Sequence, residues 1–400
     1  MSSFSSNAHK KLHAKSLPVR YKPDSVRNIL ENIWGLTNIS VDLAFYAYFA
    51  KDTDLAYRIL DLDGLVADHL AQFVMHTAMA YGRSREAGYA SLLSFYYGSA
   101  IDIISDSVKD IIYFILANRV PKISYDHVVY RADGEIVVKL TAEKDFKVID
   151  LTDKYPVDII LVVEGDKHKF APKPNDRVRK NSIIYLRGFS EPVLRLLNDR
   201  GIKYKLDETT NPELDHIVKD IVDIKDMAIL MLDLAHYVLM NHSPELREEV
   251  KDLELQVDLM HSKALDSLRD AANKIDPDTY IGLITILKEL EDIADASDSI
   301  GQIPALQEVF PREYKELFNR VFESIGEKIR TVTASKTLEL YSLNRNLKRF
   351  GGRVLAVKTR DSWVAYPFAR DITLSPGDKL IVVYQEEFSE ELDKELNSML

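Results

Sequence analysis

Apolar residues recur at helical spacing through the first part of the chain. Leu36, Ile39, Leu43 and Tyr46 form one stripe, and Ile101, Ile104, Val108, Ile111, Ile112 and Ile115 form another. No proline falls between Pro23 and Pro121, so nothing here breaks a long helix. Asp24 or Ser25 is placed to cap the first helix. The pattern predicts three or four long helices in an antiparallel bundle over residues 24–120. At Pro121 the period changes. Val128–Tyr130, Asp133-Gly134 and Glu135–Val138 read as a hairpin, followed by short strands at Val157–Val163 and Ser182–Leu186 and a closing helix at Ser190–Asn198. This predicts a small α+β module over 121–205. Helical spacing returns over 206–325, with Pro244, Pro277, Pro304 and Pro311 expected at helix starts or connections. Strands return over 326–400 at Arg353–Lys358, Trp363–Tyr366 and Lys379–Tyr384. A last helix is expected from about Ser389, with Glu390, Glu391 and Asp393 at its dipole-positive end.

The order is therefore helical, α+β, helical, α+β, and residues repeat with it. Asp42-Leu43-Ala44-x-Tyr46 matches Asp233-Leu234-Ala235-x-Tyr237, 191 positions on. Asp54-Leu55 and Ile59 fall on Glu245-Leu246 and Val250 at the same offset. In the α+β modules, Val157–Val163 falls on Gly352–Lys358, and Asn181-Ser182 on Gly377-Asp378. The expected fold class is α+β multidomain, with two antiparallel helical bundles alternating with two small α+β domains about a pseudo-twofold axis.

Composition narrows the chemistry. The chain has 400 residues and no cysteine, which excludes disulfide scaffolds, thiolate metal sites and cysteine nucleophiles and fits a reducing cytoplasm. Its net charge is −11, which argues against nucleic acid as a partner. The longest stretch without Asp, Glu, Lys or Arg is Ala87–Ile101, too short and too polar to span a bilayer. Residues 1–23 carry five cations and no acid and read as a basic, disordered arm, either solvated or touching an acidic membrane surface. There is no Gly-rich phosphate loop, nucleophile elbow or His-Glu-x-x-His. Met227, Met231, Met240 and Met260 are expected in core packing rather than in a binding groove.

The helical unit resembles a PhoU domain. The residues that carry the resemblance are Glu291-x-x-x-Asp295 in Leu290–Ala296, which looks like the family's metal-binding helix, and Glu254-x-x-x-Asp258, which looks like its partner. The α+β unit resembles the C-terminal domain of TrkA, also called the RCK C-terminal domain, best in Leu374–Val383 with its Gly377-Asp378 turn and apolar strand. The first copy has Asn181-Ser182 instead of Gly-Asp. RCK proteins usually carry a nucleotide-binding domain as well, but no Gly-x-Gly-x-x-Gly occurs here, so nicotinamide nucleotide is not expected.

Spacing i, i+4 puts both members of each carboxylate pair on one helix face. Four facing carboxylates repel unless they are protonated or metal-bound, and hard oxygen ligands suit Mg, Ca, Mn or Fe. The first copy offers Asp102, Asp106 and Asp110, with Asp63 opposite, but Ala67 stands where Asp258 would be matched and Asp68 is one position off. The alternative is a solvated acidic face. Together the resemblances imply a non-enzymatic cytoplasmic regulator of a cation transport system, potassium foremost. Such a protein would act on an integral membrane transporter or channel at the inner face of the membrane. It would respond to a small ligand, a nucleotide or a cation, bound where the two α+β modules pair, and it could form homodimers. Two further readings stand beside it. One is a PhoU-type regulator of phosphate uptake. The other is a di-metal carboxylate enzyme, for which Glu213–His216 and Asp258–His261 supply carboxylate-x-x-His pairs.

Overall fold

The computed structural model describes residues 21–81, 85–132, 134–202, 212–241, 243–306, 329–349, 351–359, 362–384, 390, 392–394 and 396. Most of the expected basic arm, Pro311 and the start of the last helix lie outside the described residues. Three long helices open the chain: α1 (Val26–Ala50), α2 (Thr53–Tyr81) and α3 (Arg85–Leu116). Ser25 caps α1, its side chain accepting from the Asn28 N–H, and Lys51 closes the helix in the left-handed region.

Short α4 (Tyr125–Arg131) comes next. This corrects the hairpin expected from Val128–Tyr130. Ser124 N-caps the turn and draws Tyr125, Val128 and Val129 into the core at helical spacing. The β-branched run was a buried helix face, which periodicity over so few residues does not separate from a strand.

The first α+β unit runs β1 (Glu135–Thr141), β2 (Phe146–Lys147), α5 (Val148–Thr152), β3 (Asp158–Glu164), β4 (Lys167–Phe170), β5 (Arg177–Val178), β6 (Ile183–Phe189) and α6 (Ser190–Asp199). Three more long helices follow: α7 (Pro212–Asn241), α8 (Pro244–Ala271) and α9 (Pro277–Leu306). Pro304 lies inside α9 rather than at a start. The second unit comprises β7 (Ile329–Thr333), β8 (Leu338–Glu339), α10 (Leu340–Lys348), β9 (Arg353–Thr359), β10 (Ser362–Ala365), α11 (Tyr366–Ala369), β11 (Thr373–Leu374) and β12 (Lys379–Val383). The protein is thus a mixed α and β chain with antiparallel sheets.

The first sheet is ordered β1-β6-β3-β4, and the second, read from its first strand, β7-β12-β9-β10. The turns before β6 and β12 also agree. Asn181 (φ 68) and Gly377 (φ 98) both occupy the left-handed region. Their N–H groups donate to Ala142 and Ala334 carbonyls at 2.7 and 2.8 Å. Asparagine tolerates that conformation better than most residues, so the first turn forms without its glycine.

The first sheet rests on α1, and the second on α7 and α8. Tyr46 of α1 meets the rings of Tyr125 and Tyr185, and Asp52 receives the Tyr185 hydroxyl at 2.9 Å and Lys139 at 2.7 Å. In the second half the Tyr237 hydroxyl lies 2.9 Å from that of Thr331, and Lys358 reaches Glu245 at 2.8 Å. The two α+β units touch through the Lys348 ammonium, 5.5 Å from the centre of the Phe189 ring, and through Arg349 with Glu191 at 3.4 Å.

The bundles join through α3 against α9 and through the end of α1. His236 is buried there, its Nδ1–H donating to Leu232 and its Nε2 accepting from the Tyr97 hydroxyl. Burial pushes its imidazole down to about 4, so it remains neutral. The Tyr48 hydroxyl donates to the Gly282 carbonyl at 2.7 Å. A Cβ on Gly282 would sit 2.9 Å from the Pro121 ring, closer than Cβ atoms come to their neighbours, and a tight 3.0 Å from that hydroxyl. Gly282→Ala should therefore lower stability by about 1–3 kcal/mol through overpacking. Thermal melting checks this, and an unchanged midpoint would mean that the junction yields freely.

Candidate metal centre

The apolar seam of the second bundle sets the carboxylate positions. On α8, Leu246, Val250, Leu253 and Val257 are buried, and on α9, Leu290, Ile293, Ala294 and Ser297. Glu254 and Asp258 each follow a buried α8 residue by one position, and Glu291 and Asp295 follow a buried α9 residue in the same way. The two pairs therefore run along the rim where these helices meet. One carboxylate oxygen from each of Glu254, Asp258 and Asp295 lies within 4.8 Å of the others.

Glu291 lies on the same α9 face but is not one of these three clustered ligands. Its carboxyl is pushed up by burial and then by Asp292 and Asp258. Burial, with Glu291 and Asp258, pushes Asp295 to about 6. Burial and the charges of Asp258, Asp298 and Asp295 also raise Glu254. Such shifts mean that the site holds its negative charge reluctantly, and a hard multivalent cation would relieve it. His261 stands beside Asp258, Asp292 and Asp295, with burial pushing its imidazole down. Lys288 is engaged by Asp292, and Asp298 by Gln302. Sequence reasoning did not place Asp298 near the site. Its i, i+3 spacing from Asp295 was the available signal.

The first bundle is arranged differently. Asp102 and Asp106 are exposed on α3, and among the described residues neither joins a group of three ligand atoms. Lys109 lies 2.6 Å from Asp106 and 3.6 Å from Asp63, so an ammonium occupies the space between the acids. Burial raises the Asp63 carboxyl while Lys109 lowers it. Asp68 bonds Lys22 instead, and Asp110 faces Glu289 of α9. The lysine was visible in the sequence at i+3 from Asp106, but acid spacing alone gave it no weight. Among the described residues, the clustered ligand atoms include no histidine. His216 lines a cleft of about 540 Å³ between α7 and α8 with Lys219 and Lys263, while the Glu213 side chain lies outside the described residues. Met227 and Met231 are buried core residues.

A family model described as PhoU domain matches residues 221–304, a stretch that contains both carboxylate helices. No curated protein matches the chain. Two solved structures are similar at 10% identity. "Crystal Structure of the GsuK RCK domain" covers 74% of this chain and 79% of its own, with a TM-score of 0.17. "GsuK Channel" covers 74% and 66%, with a TM-score of 0.18. Among the described residues, no helix is long and apolar enough to cross a membrane.

Proposed function

We propose that the chain is a non-enzymatic cytoplasmic regulator of a cation transport system, with potassium as the first candidate ion. In this reading it is a duplicated unit, PhoU-like over 24–120 and 206–325 and TrkA-C-like over 121–205 and 326–400. The observation that carries it is the convergence of Glu254, Asp258 and Asp295 inside the PhoU match. The equal strand order of the two sheets supports the duplication. Glu254, Asp258, Glu291 and Asp295 bind a divalent or iron cation, and its binding favours one packing of α8 on α9. The altered packing is passed to the membrane partner through the α+β unit resting on α7 and α8, where Glu249 accepts the Ala365 N–H at 2.9 Å. Asp102 and Asp106 act as an ion-paired face with Lys109 rather than as a second site.

The PhoU match also favours a second reading, regulation of phosphate uptake. Knowing which transporter associates with the protein separates the two.

The metal assignment has a direct test. Manganese, iron(II) or magnesium should raise the melting temperature, by about 2.7 kcal/mol equivalent at a hundredfold excess over Kd. Glu291→Ala with Asp295→Ala should abolish the rise. It should also raise the metal-free midpoint, because like-charge repulsion is relieved. A response that survives in the double variant sinks the assignment.

A further inference from the structure

Helix α8 carries apolar residues on two faces. Leu246, Val250, Leu253 and Val257 are buried in its seam with α9. Leu255 (57%) and Leu259 (59%) are exposed. Each stands two positions beyond a buried member of the seam, about 200° round the helix, so the pair faces away from the core. Four residues separate the two, which places them on one ridge. The exposed stripe they belong to reads Glu248, Asp252, Leu255, Leu259, Ser262 and Asp266, each three or four residues from the next. Acids therefore bracket the leucines at both ends. The matched positions of α2, 191 earlier, hold Gly64 and Asp68, so the repeated unit folds without leucine there.

Charge identifies the partner that fits this ridge. Glu254, Asp258 and Asp295 flank it on the α9 side, with one carboxylate oxygen of each within 4.8 Å of the others. Nearby cations are engaged by other acids: Arg247 by Glu248 at 3.4 Å, Lys263 by Asp220 at 3.5 Å, Arg269 by Asp266 at 2.8 Å, and Lys288 by Asp292. Lys251 offsets Glu254 only in part, since burial with Asp258, Asp298 and Asp295 still raises that carboxyl. The surface is thus apolar at its centre and acidic at its edges. A second copy brought face to face would set the same acids against each other. An anionic bilayer would repel them as well. A helix with an apolar ridge bordered by lysine or arginine matches both features, because its ridge covers the leucines while its cations meet the carboxylates.

We propose that the Leu255–Leu259 ridge of α8, with Asp252, Glu254, Asp258 and Asp266 around it, docks a cationic amphipathic helix of a protein partner. The inference stands on this surface and needs neither the metal assignment nor the transport reading.

Fluorescence anisotropy with the full chain tests it, in EDTA so that no metal occupies the carboxylates. The probe is a labelled helical peptide of leucine and lysine with all its leucines on one face. One control peptide has the same composition with the leucines dispersed around the helix. Another keeps the leucine face and has glutamate for lysine. The chain should bind the probe and neither control, and added salt should weaken binding. Leu255→Gln with Leu259→Gln should weaken it at least about tenfold at an unchanged melting temperature, since both side chains are exposed. Glu248→Gln with Asp252→Asn should weaken it and flatten its salt dependence. No binding of the probe, equal binding of the dispersed peptide, binding of the glutamate peptide, or unchanged affinity in either variant would each overturn the proposal. So would sedimentation that shows a dimer which the Gln variant converts to a monomer, because the ridge would then belong to a second copy.

Discussion

Arg353→Met should destabilise the protein by about 3–5 kcal/mol, the expected loss when one member of a buried ion pair is left alone. Arg353 on β9 bonds Asp233 on α7, with side-chain exposures of 14% and 8%. The pair belongs to a buried group of charges. Arg187 on β6 bonds Asp42 at 3.0 Å and Asp158 at 3.1 Å. The Lys225 ammonium donates to the Glu135 carbonyl at 2.9 Å and lies 2.6 Å from Asp226. The Asn38 amide of α1 reaches Asp233 from the other half. Acids outnumber bases here, and burial pushes the Asp42 and Asp233 carboxyls up while Arg187 and Arg353 draw them down. Removing Arg353 leaves Asp233 with no bonded arginine, only the more distant charge of Arg187, and with acidic neighbours. Adding Asp233→Leu should restore most of the loss, because an apolar pair avoids the desolvation cost. Chemical denaturation of both variants measures the difference. A single variant as stable as the parent would show that Asp233 is held by other groups.

This group also marks the limit of what the chain reveals by pattern. Helical stripes such as Ile101–Ile115 were legible because six apolar residues at one period have one reading, and the buried strand Val157–Val163 was legible for the same reason. Val128–Tyr130 was not, since three residues carry no period and the Ser124 cap decided the outcome. The matched Asp42 and Asp233 are visible as a repeat. Their partners are not, because Arg187 lies on β6 and Arg353 on β9, at non-equivalent places in the two sheets. One half solves its buried aspartate from a different strand than the other, so an offset search misses both arginines. The carboxylates of α8 and α9 were found through family resemblance and i, i+4 spacing. What the acid spacing by itself left out was Lys109, which pairs with Asp106 of α3 and Asp63 of α2.

Glu289→Gln should stabilise the protein in alkaline solution and change little in acid. Glu289 is buried where α9 meets α3. Burial pushes its carboxyl up to about 7, with Asp292 and Asp110 adding to the rise and Lys288 and a Ser107 hydrogen bond opposing it. In the unfolded chain the same carboxyl titrates near 4.5. Below that value both states hold the proton and the residue contributes nothing to pH dependence. Between about 4.5 and 7 the unfolded chain gives up its proton before the folded one, so stability falls as pH rises. Above that window the folded state carries a buried carboxylate at a cost of about 3 kcal/mol. Glutamine keeps the shape and an acceptor for Ser107 without the charge. The variant should therefore exceed the parent by about that amount above roughly pH 8, with the gap closing toward about pH 5. Asp295, Glu254 and Glu291 are also raised, but they remain in both proteins and cancel in the difference. Urea titrations at the two pH values decide the matter. A gap of equal size at both would mean that Glu289 acts through packing, and the α3–α9 junction would then be insensitive to protons in this range.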